Sequence, residues 1–406
     1  MNDATRKARD IALGILKPTE AELQHGLELH ENSLVCESYG FAPRAAVDGE
    51  AVKAAVEAGA SDSEIQDMTE DMSMTRYATD PAEREEFVGA WEAAGVDCIL
   101  QNAGEEGQSP LRLMKRLARF TYATDMMPDF LRRAPTPDDI VAAKEEGKRC
   151  LYLIGNGVPL TQDWVSVEDE LRYIRIFLQL GIRMMHLTYN RRNMIGDGCA
   201  EPANAGLSDF GRAVVAEMNR VGVIVDVAHS GWQTSLDAAR ASDQPMVASH
   251  SGCVEVNNHH RCKPDEVIRA IADTDGYMGI CCIPAFLGRG GDINAMLDHI
   301  DHVAKTFGPD HVAIGTDVAY SSSQSAEEQR KIPGRGPSRK RWANFWAPND
   351  PLHASDWHQE HQVRSLAWTN WPLFTVGLVQ RGYSDEDIRK IIGGNVLRVA
   401  RAVFPG

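Results

Sequence analysis

The 406 residues include 42 Lys and Arg against 58 Asp and Glu, a formal net charge of −16 at pH 7, and 43% are hydrophobic. That acidic surplus argues against a phosphate-backbone partner, which needs clustered Lys and Arg, so nucleic acid is excluded as an expected ligand. No apolar run approaches the roughly 20 residues of a membrane-spanning helix, and the composition is that of a globular enzyme.

In chain order, the opening MNDATRKARDIALGILKPTE is charged and helical, without the apolar centre and small-residue cleavage site of a secretion signal. A cytoplasmic location is the expectation. The eight cysteines are scattered without a CxxC pair, which predicts free thiols. Eight short Val-, Ile- and Leu-rich runs follow, at 34–39, 97–102, 150–155, 182–188, 222–228, 246–250, 276–283 and 312–317. They lack period-2 alternation, as strands buried on both faces do, and helical patterns such as 209–220 and 264–272 fill the gaps. Repeated βα units of this kind predict a single (β/α)8 TIM-like barrel across residues 1–406. The acidic, Ala- and Met-rich segment 44–90 reads as an inserted helical pair. Segment 321–372 holds five of the eight tryptophans, from Trp342 to Trp371. Lying after the eighth strand, it is either a lid over the catalytic end or a surface loop anchored by buried Trp.

In such barrels the chemistry sits at the C-terminal strand ends. VIVDVAHSG brings a strand into His229 and PMVASHSG brings the next into His250, so two imidazoles fall side by side, a pattern suited to metal ligation. AIGTD ends the eighth strand in Asp317, a carboxylate fit to bind metal or act as acid/base. His259 and His260 in a polar loop, and His299 and His302 on an amphipathic helix, read as solvated surface. Cys281 and Cys282 read as core packing.

The runs GLSDFGRAVVAEMNRVGVIVDVAHSG, PMVASHSG, NHHRCKPDEV, DHIDHVAKTFGPDHVAIGTD and RGYSDEDIRKIIGGNVLRV resemble, in order and spacing, the membrane (renal) dipeptidase family of amidohydrolase-like barrels. The resemblance covers roughly residue 97 to the C-terminus, with a fainter match at 34–43. It implies that His229 and His250 are zinc ligands, that Asp317 is the carboxylate working with the metal-bound hydroxide, and that Arg261 holds the substrate carboxylate. An arginine suits that task because its planar fork pairs bidentately with a carboxylate.

The departures from the family pattern are equally specific. The His-x-Asp pair at the end of the first strand is replaced by Tyr39-Gly40-Phe41, the bridging glutamate of the third strand by Asn156, and the histidine after LT by Tyr189. A neutral amide is a poor bridge between two dications. Glu37, two residues before Tyr39, is read as a buried hydrogen-bonding group. The chain is therefore expected to hold at most one zinc or other divalent ion per chain. The expected activity is a dipeptidase-like metallopeptidase-type hydrolysis of a small amide-containing or amino-acid-derived carboxylate. Tyr39, Tyr189 and Asp317 are the catalytic candidates, with Arg261 and Asn156 binding substrate. Two other classes stay open: a lyase or isomerase on the same barrel, and a non-catalytic binding protein. Homo-oligomerisation is left open too.

Overall fold

The computed structural model describes residues 2–104, 106–334, 344–347 and 349–404. Eight parallel strands follow one another around a ring: β1 (Cys36–Gly40), β2 (Cys98–Asn102), β3 (Arg149–Ile154), β4 (Met184–His186), β5 (Ile224–Asp226), β6 (Val247–Cys253), β7 (Tyr277–Ile280) and β8 (Val312–Ile314). Each lies within or overlaps one of the eight apolar runs. The strands form two sheets, β1 to β3 and β4 to β8, and backbone hydrogen bonds bridge both seams. Arg183 N donates to Leu153 O at 2.9 Å and Gly155 N to Met184 O at 2.7 Å, while Asp317 N donates to Tyr39 O at 3.3 Å. Through these bonds the edges of the two sheets meet each other. Two accessory strands lie outside the ring: Leu131–Arg133 pairs with the start of β3, and Cys262–Lys263 with the end of β6.

The intervening helices follow from local signals. Asp209–Val221 starts at Ser208, whose hydroxyl accepts from Gly211 N, and ends at Gly222 in the left-handed region (φ 88°), which only glycine adopts freely. Its Val214, Val215 and Met218 are buried. The 44–90 segment carries helices Gly49–Glu57 and Asp62–Thr75 and most of a third, Pro81–Ala94, so it holds more than a helical pair. Glu70, on the second, meets Arg112 and Arg116 of helix Pro110–Met126, the Arg116 contact at 3.1 Å, and so fastens this insertion beside the barrel mouth. Of the tryptophans in 321–372, Trp346, Trp368 and Trp371 are buried and Trp357 is half-buried, while Trp342 lies outside the described residues.

Glu37 on β1 is fully buried. Its carboxyl accepts from Thr316 N at 3.2 Å, from the Thr316 hydroxyl, and from Trp368 Nε1 at 2.7 Å. Burial pushes its pKa up to about 8, against the pull of these donors, so it is neutral at pH 7. It thereby ties β1 to the turn before Asp317 and to the Trp-rich segment. Gly40 completes this joint, because a Cβ there would stand 2.3 Å from the Glu37 carboxyl carbon. Gly40→Ala is expected to destabilise the fold by about 1–3 kcal/mol through overpacking, read as a lowered Tm. An unchanged melting curve would show that the joint is slack.

Candidate active site

β1, β5 and β6 bring Tyr39, His229 and His250 together at the C-terminal end of the barrel, and the turn after β4 adds Tyr189. His229 Nε2 faces His250 Nε2 at 3.0 Å. A tyrosine ring backs each imidazole: Tyr39 stacks on His250 at 3.7 Å between centroids, and Tyr189 on His229 at 3.9 Å. All four side chains are buried. Burial, with Arg261 next, pulls both histidines well below their ordinary pKa, so both stay neutral.

The hydrogen bonds behind the pair orient it. Asn190 Oδ1 takes the Nδ1 proton of His229 at 2.7 Å, which leaves the Nε2 lone pair pointing at His250. Ser249 Oγ contacts His250 Nδ1 at 2.8 Å. Tyr39 OH accepts from Asn102 Nδ2 at 2.8 Å and donates to Asn156 Oδ1 at 3.2 Å, so two of the positions that depart from the family pattern are bonded to each other. Burial, reinforced by Asp317, raises the Tyr39 phenol well above its usual range; it stays protonated and able to donate.

Asp317 is half-buried and holds a left-handed backbone (φ 58°), a conformation uncommon outside glycine and tolerated best by Asn and Asp. Burial pushes its carboxyl up to about 6, opposed by Arg261, His186 and Arg44. It lines a cavity of about 750 Å³ with Tyr39, Asn156, Tyr189 and Arg44; Trp346 and His353 of the 321–372 segment also line it. His229 and His250 lie behind the two tyrosines, outside the lining.

Arg261, expected at the mouth of the barrel, is instead fully buried and does not line the cavity. Its guanidinium donates to Ala228 O, to His250 O at 3.0 Å and towards His229 Nε2 at 3.4 Å. The physical reason is the accessory strand Cys262–Lys263, which pairs with Gly252 and Cys253 and folds the preceding loop back over the ends of β5 and β6. The same loop corrects the reading of His259. It is 6% exposed, packs tilted against Phe286 with ring centroids 4.8 Å apart and lies 3.7 Å from Asp350. His299 is likewise buried, receiving Cys253 N at 2.8 Å and reaching Leu287 O at 3.0 Å, whereas His302 pairs with Asp265 near the surface.

Two polar residues escaped the sequence reading. His186 on β4 and Asp226 on β5 are register partners, both fully buried, with Nε2 and Oδ2 2.6 Å apart. Burial alone would raise the Asp226 carboxyl, but His186 and Ser249 outweigh it and hold the pKa low. The available signal was an ionisable residue at the same level of two consecutive apolar strands, IRMMHLT and VIVDVA.

Residues 66–332 match the membrane dipeptidase family (peptidase family M19), and the chain belongs to it. Among curated proteins, dipeptidase tcpJ of Claviceps purpurea is 27% identical over 286 residues, covering 69% of this chain and 57% of its own length. Dipeptidase verJ of Clonostachys rogersoniana is 28% identical over 239 residues, 57% of this chain and 50% of its own. The chain thus spans about half the length of these relatives. The fold is shared with an amidohydrolase from Pseudomonas aeruginosa (TM-score 0.67, 24% identity, 94% of this chain and 99% of that one). It is shared too with a Rhodobacter sphaeroides metallo peptidase solved with a phosphinate mimic of L-Ala-D-Ala (TM-score 0.63, 16% identity, 92% and 100%). Among the described residues, no helix is long and apolar enough to cross a membrane.

The family's name implies metal chemistry, and the donor set can be tested for it. Two neutral imidazole nitrogens facing at 3.0 Å, one with its tautomer fixed by Asn190, must share either one proton or one cation. Two nitrogens bound to one tetrahedral zinc at about 2.1 Å each stand about 3.4 Å apart, so a shift of a few tenths of an ångström admits an ion. The positions that depart from the family pattern add no free ligand to this pair. Tyr39 and Asn156 are committed to each other, and Phe41 brings no donor. Ligand atoms of His186, Asp226 and His250 also lie within 4.8 Å of one another; among the described residues Asp317 joins no such grouping.

Proposed function

We propose that this protein is a dipeptidase-like hydrolase that cleaves a small amide-containing or amino-acid-derived carboxylate, using at most one divalent ion, zinc being the reference case, held by His229 and His250. The observation that carries the reading is the convergence of His229 Nε2 and His250 Nε2 at 3.0 Å behind Tyr39 and Tyr189, which line a cavity together with Asp317, within a barrel of the dipeptidase family. When bound, the ion would polarise a carbonyl and lower the pKa of water. The chain's own residues do the rest. Asp317, tuned to about 6, accepts the proton of the attacking water at neutral pH and returns it to the leaving nitrogen. Tyr39, a phenol at all physiological pH values, turns its single proton from Asn156 Oδ1 to the substrate oxygen, and Tyr189 walls the opposite side. Asn156 orients Tyr39 and offers an amide to the substrate. Arg261 acts as a positioning residue, holding the ends of β5 and β6 by their carbonyls. Trp346 and His353, among the described residues of 321–372, supply part of the outer wall and are read as part of a lid.

A family hydroxide held between two metals requires the bridging carboxylate that Asn156 replaces. Turnover of simple dipeptides such as Ala-Ala is therefore expected to be weak or absent. A panel of N-acyl amino acids, dipeptides and amino-acid amides, followed by mass spectrometry with the Asp317→Asn protein as control, tests the reading. Cleavage of at least one amide only by the wild type is expected. A panel without any amide cleaved would overturn it, and rapid Ala-Ala turnover would overturn the loss of the family nucleophile.

A further inference from the structure

The buried position of Arg261 leaves the cavity without the cation that the family resemblance places there, yet a different arginine faces it. Arg44 follows β1 on the loop that carries Phe41, and it lines the cavity with Tyr39, Asn102 and Asp317. Its side chain is solvent-exposed and lines this open cavity. The guanidinium lies 4.8 Å over the Phe41 ring, which steadies its plane.

Among the described residues no carboxylate and no hydrogen-bond acceptor engages the Arg44 side chain. Its neighbour Arg116 differs: it meets Glu70 at 3.1 Å and also donates to Gly104 O. Acids outnumber bases by 58 to 42 in this chain, so an unmatched guanidinium in a chamber does not arise from scarcity of partners. Desolvation, with Arg116 next, disfavours the charge on Arg44, while Asp317 and Glu70 favour it. An anion placed on Arg44 would relieve the repulsion between the two arginines.

The backbone there is also fixed with respect to the chemistry. Arg44 N donates to Tyr320 O at 2.8 Å and Ser322 N to Arg44 O at 2.9 Å, a bridge between the loop after β1 and the segment that leaves Asp317. Arg44 and Asp317 are thus parts of one braced unit, and a group held by the first is set at a constant place relative to the second.

We propose that Arg44 is the carboxylate seat of this chamber, taking in a bidentate pair the free carboxylate of an N-acyl amino acid or peptide whose amide then lies over Asp317 and Tyr39. The inference rests on the reading of the cavity as the substrate chamber and assigns to Arg44 the recognition that the family resemblance assigns to Arg261. Guanidinium suits the task because two parallel N–H donors match two carboxylate oxygens, and the partly dry chamber strengthens the pair.

The test is binding of N-benzoylglycine and of its neutral amide, N-benzoylglycinamide, by calorimetry, with quenching of the cavity-lining Trp346 as a second readout. The wild type is expected to prefer the acid by about 10- to 100-fold, the worth of a charge-assisted hydrogen-bonded pair. Arg44→Ala should erase that preference by weakening the acid alone, with an unchanged Tm, and Arg44→Lys should keep a smaller, salt-sensitive share. A preference that survives Arg44→Ala, a preference lost in Arg261→Lys instead, or a wild type that does not favour the acid would each overturn the proposal. Because binding is read without turnover, a protein that cleaves no amide yet shows the Arg44-dependent preference would sink the hydrolase reading alone. One that cleaves amides without that preference would sink only the carboxylate seat.

Discussion

Replacing Asp317 with Asn is expected to lower kcat by about 100- to 10,000-fold, the usual worth of a positioned general base, with KM changed little. The substitution is nearly isosteric, and Asn tolerates the left-handed backbone at φ 58°, so the loop should keep its course. What is lost is the carboxylate itself. Burial raises this group from its ordinary 3.8 to about 6, which has two consequences of opposite sign. For catalysis the deprotonated form is required, so kcat/KM should rise through an acidic limb near pH 6. For stability, a carboxyl whose folded pKa lies above its unfolded value binds more protons when folded between about pH 4 and 6. Its contribution is therefore lost as pH rises through that window. Above pH 6 the wild type carries a desolvated charge that the Asn protein lacks, so the variant should melt higher than the wild type at pH 7.5 while turning over far less. Full activity in the variant, or an acidic limb that persists unchanged in it, would remove Asp317 from the proton-transfer step.

The barrel was legible because a strand buried on both faces leaves a continuous apolar run, and each of the eight runs contains or overlaps a strand of the ring. The same rule pointed to His229, which follows the end of β5, and to His250, which lies within β6, three residues before its end. It passed over His186 and Asp226, because polar residues inside an apolar run register as noise unless two strands are aligned against each other; only the pairing of β4 with β5 shows that they are partners. Arg261 shows a different limit. The direction of its side chain depends on a two-residue accessory strand, Cys262–Lys263, too short to leave a periodic signal. His259 and His299 looked solvated for the same reason: polar neighbours in sequence say little about a loop that tertiary pairing folds inward. Glu37 was legible as a buried hydrogen-bonding group, since an acid within an apolar run has to find donors, which the structure supplies from Thr316 and Trp368.

The protein is expected to take up at most one zinc ion per chain, and His250→Ala or His229→Ala should reduce that to near zero. Metal-to-protein ratio after reconstitution and desalting, read by mass spectrometry, measures this independently of activity. Both histidines are neutral and offer Nε2 to the same point, so removing either leaves a single imidazole, too little to hold an ion through desalting. Asn190→Ala provides the finer test. Without the acceptor for its Nδ1 proton, His229 no longer has its tautomer fixed, and loss of such a partner lowers metal affinity by about 10- to 100-fold. The expected order is therefore wild type, then Asn190→Ala, then either histidine variant. Two ions per chain would mean that Tyr39 and Asn156 separate to admit the second. A histidine double variant that still retains zinc would move the site to another donor set, and the buried grouping of His186 and Asp226 would then be the place to look. A wild type that binds no divalent ion at any tested concentration would leave the 3.0 Å contact as a hydrogen bond between two imidazoles, sharing the one proton that neutrality allows.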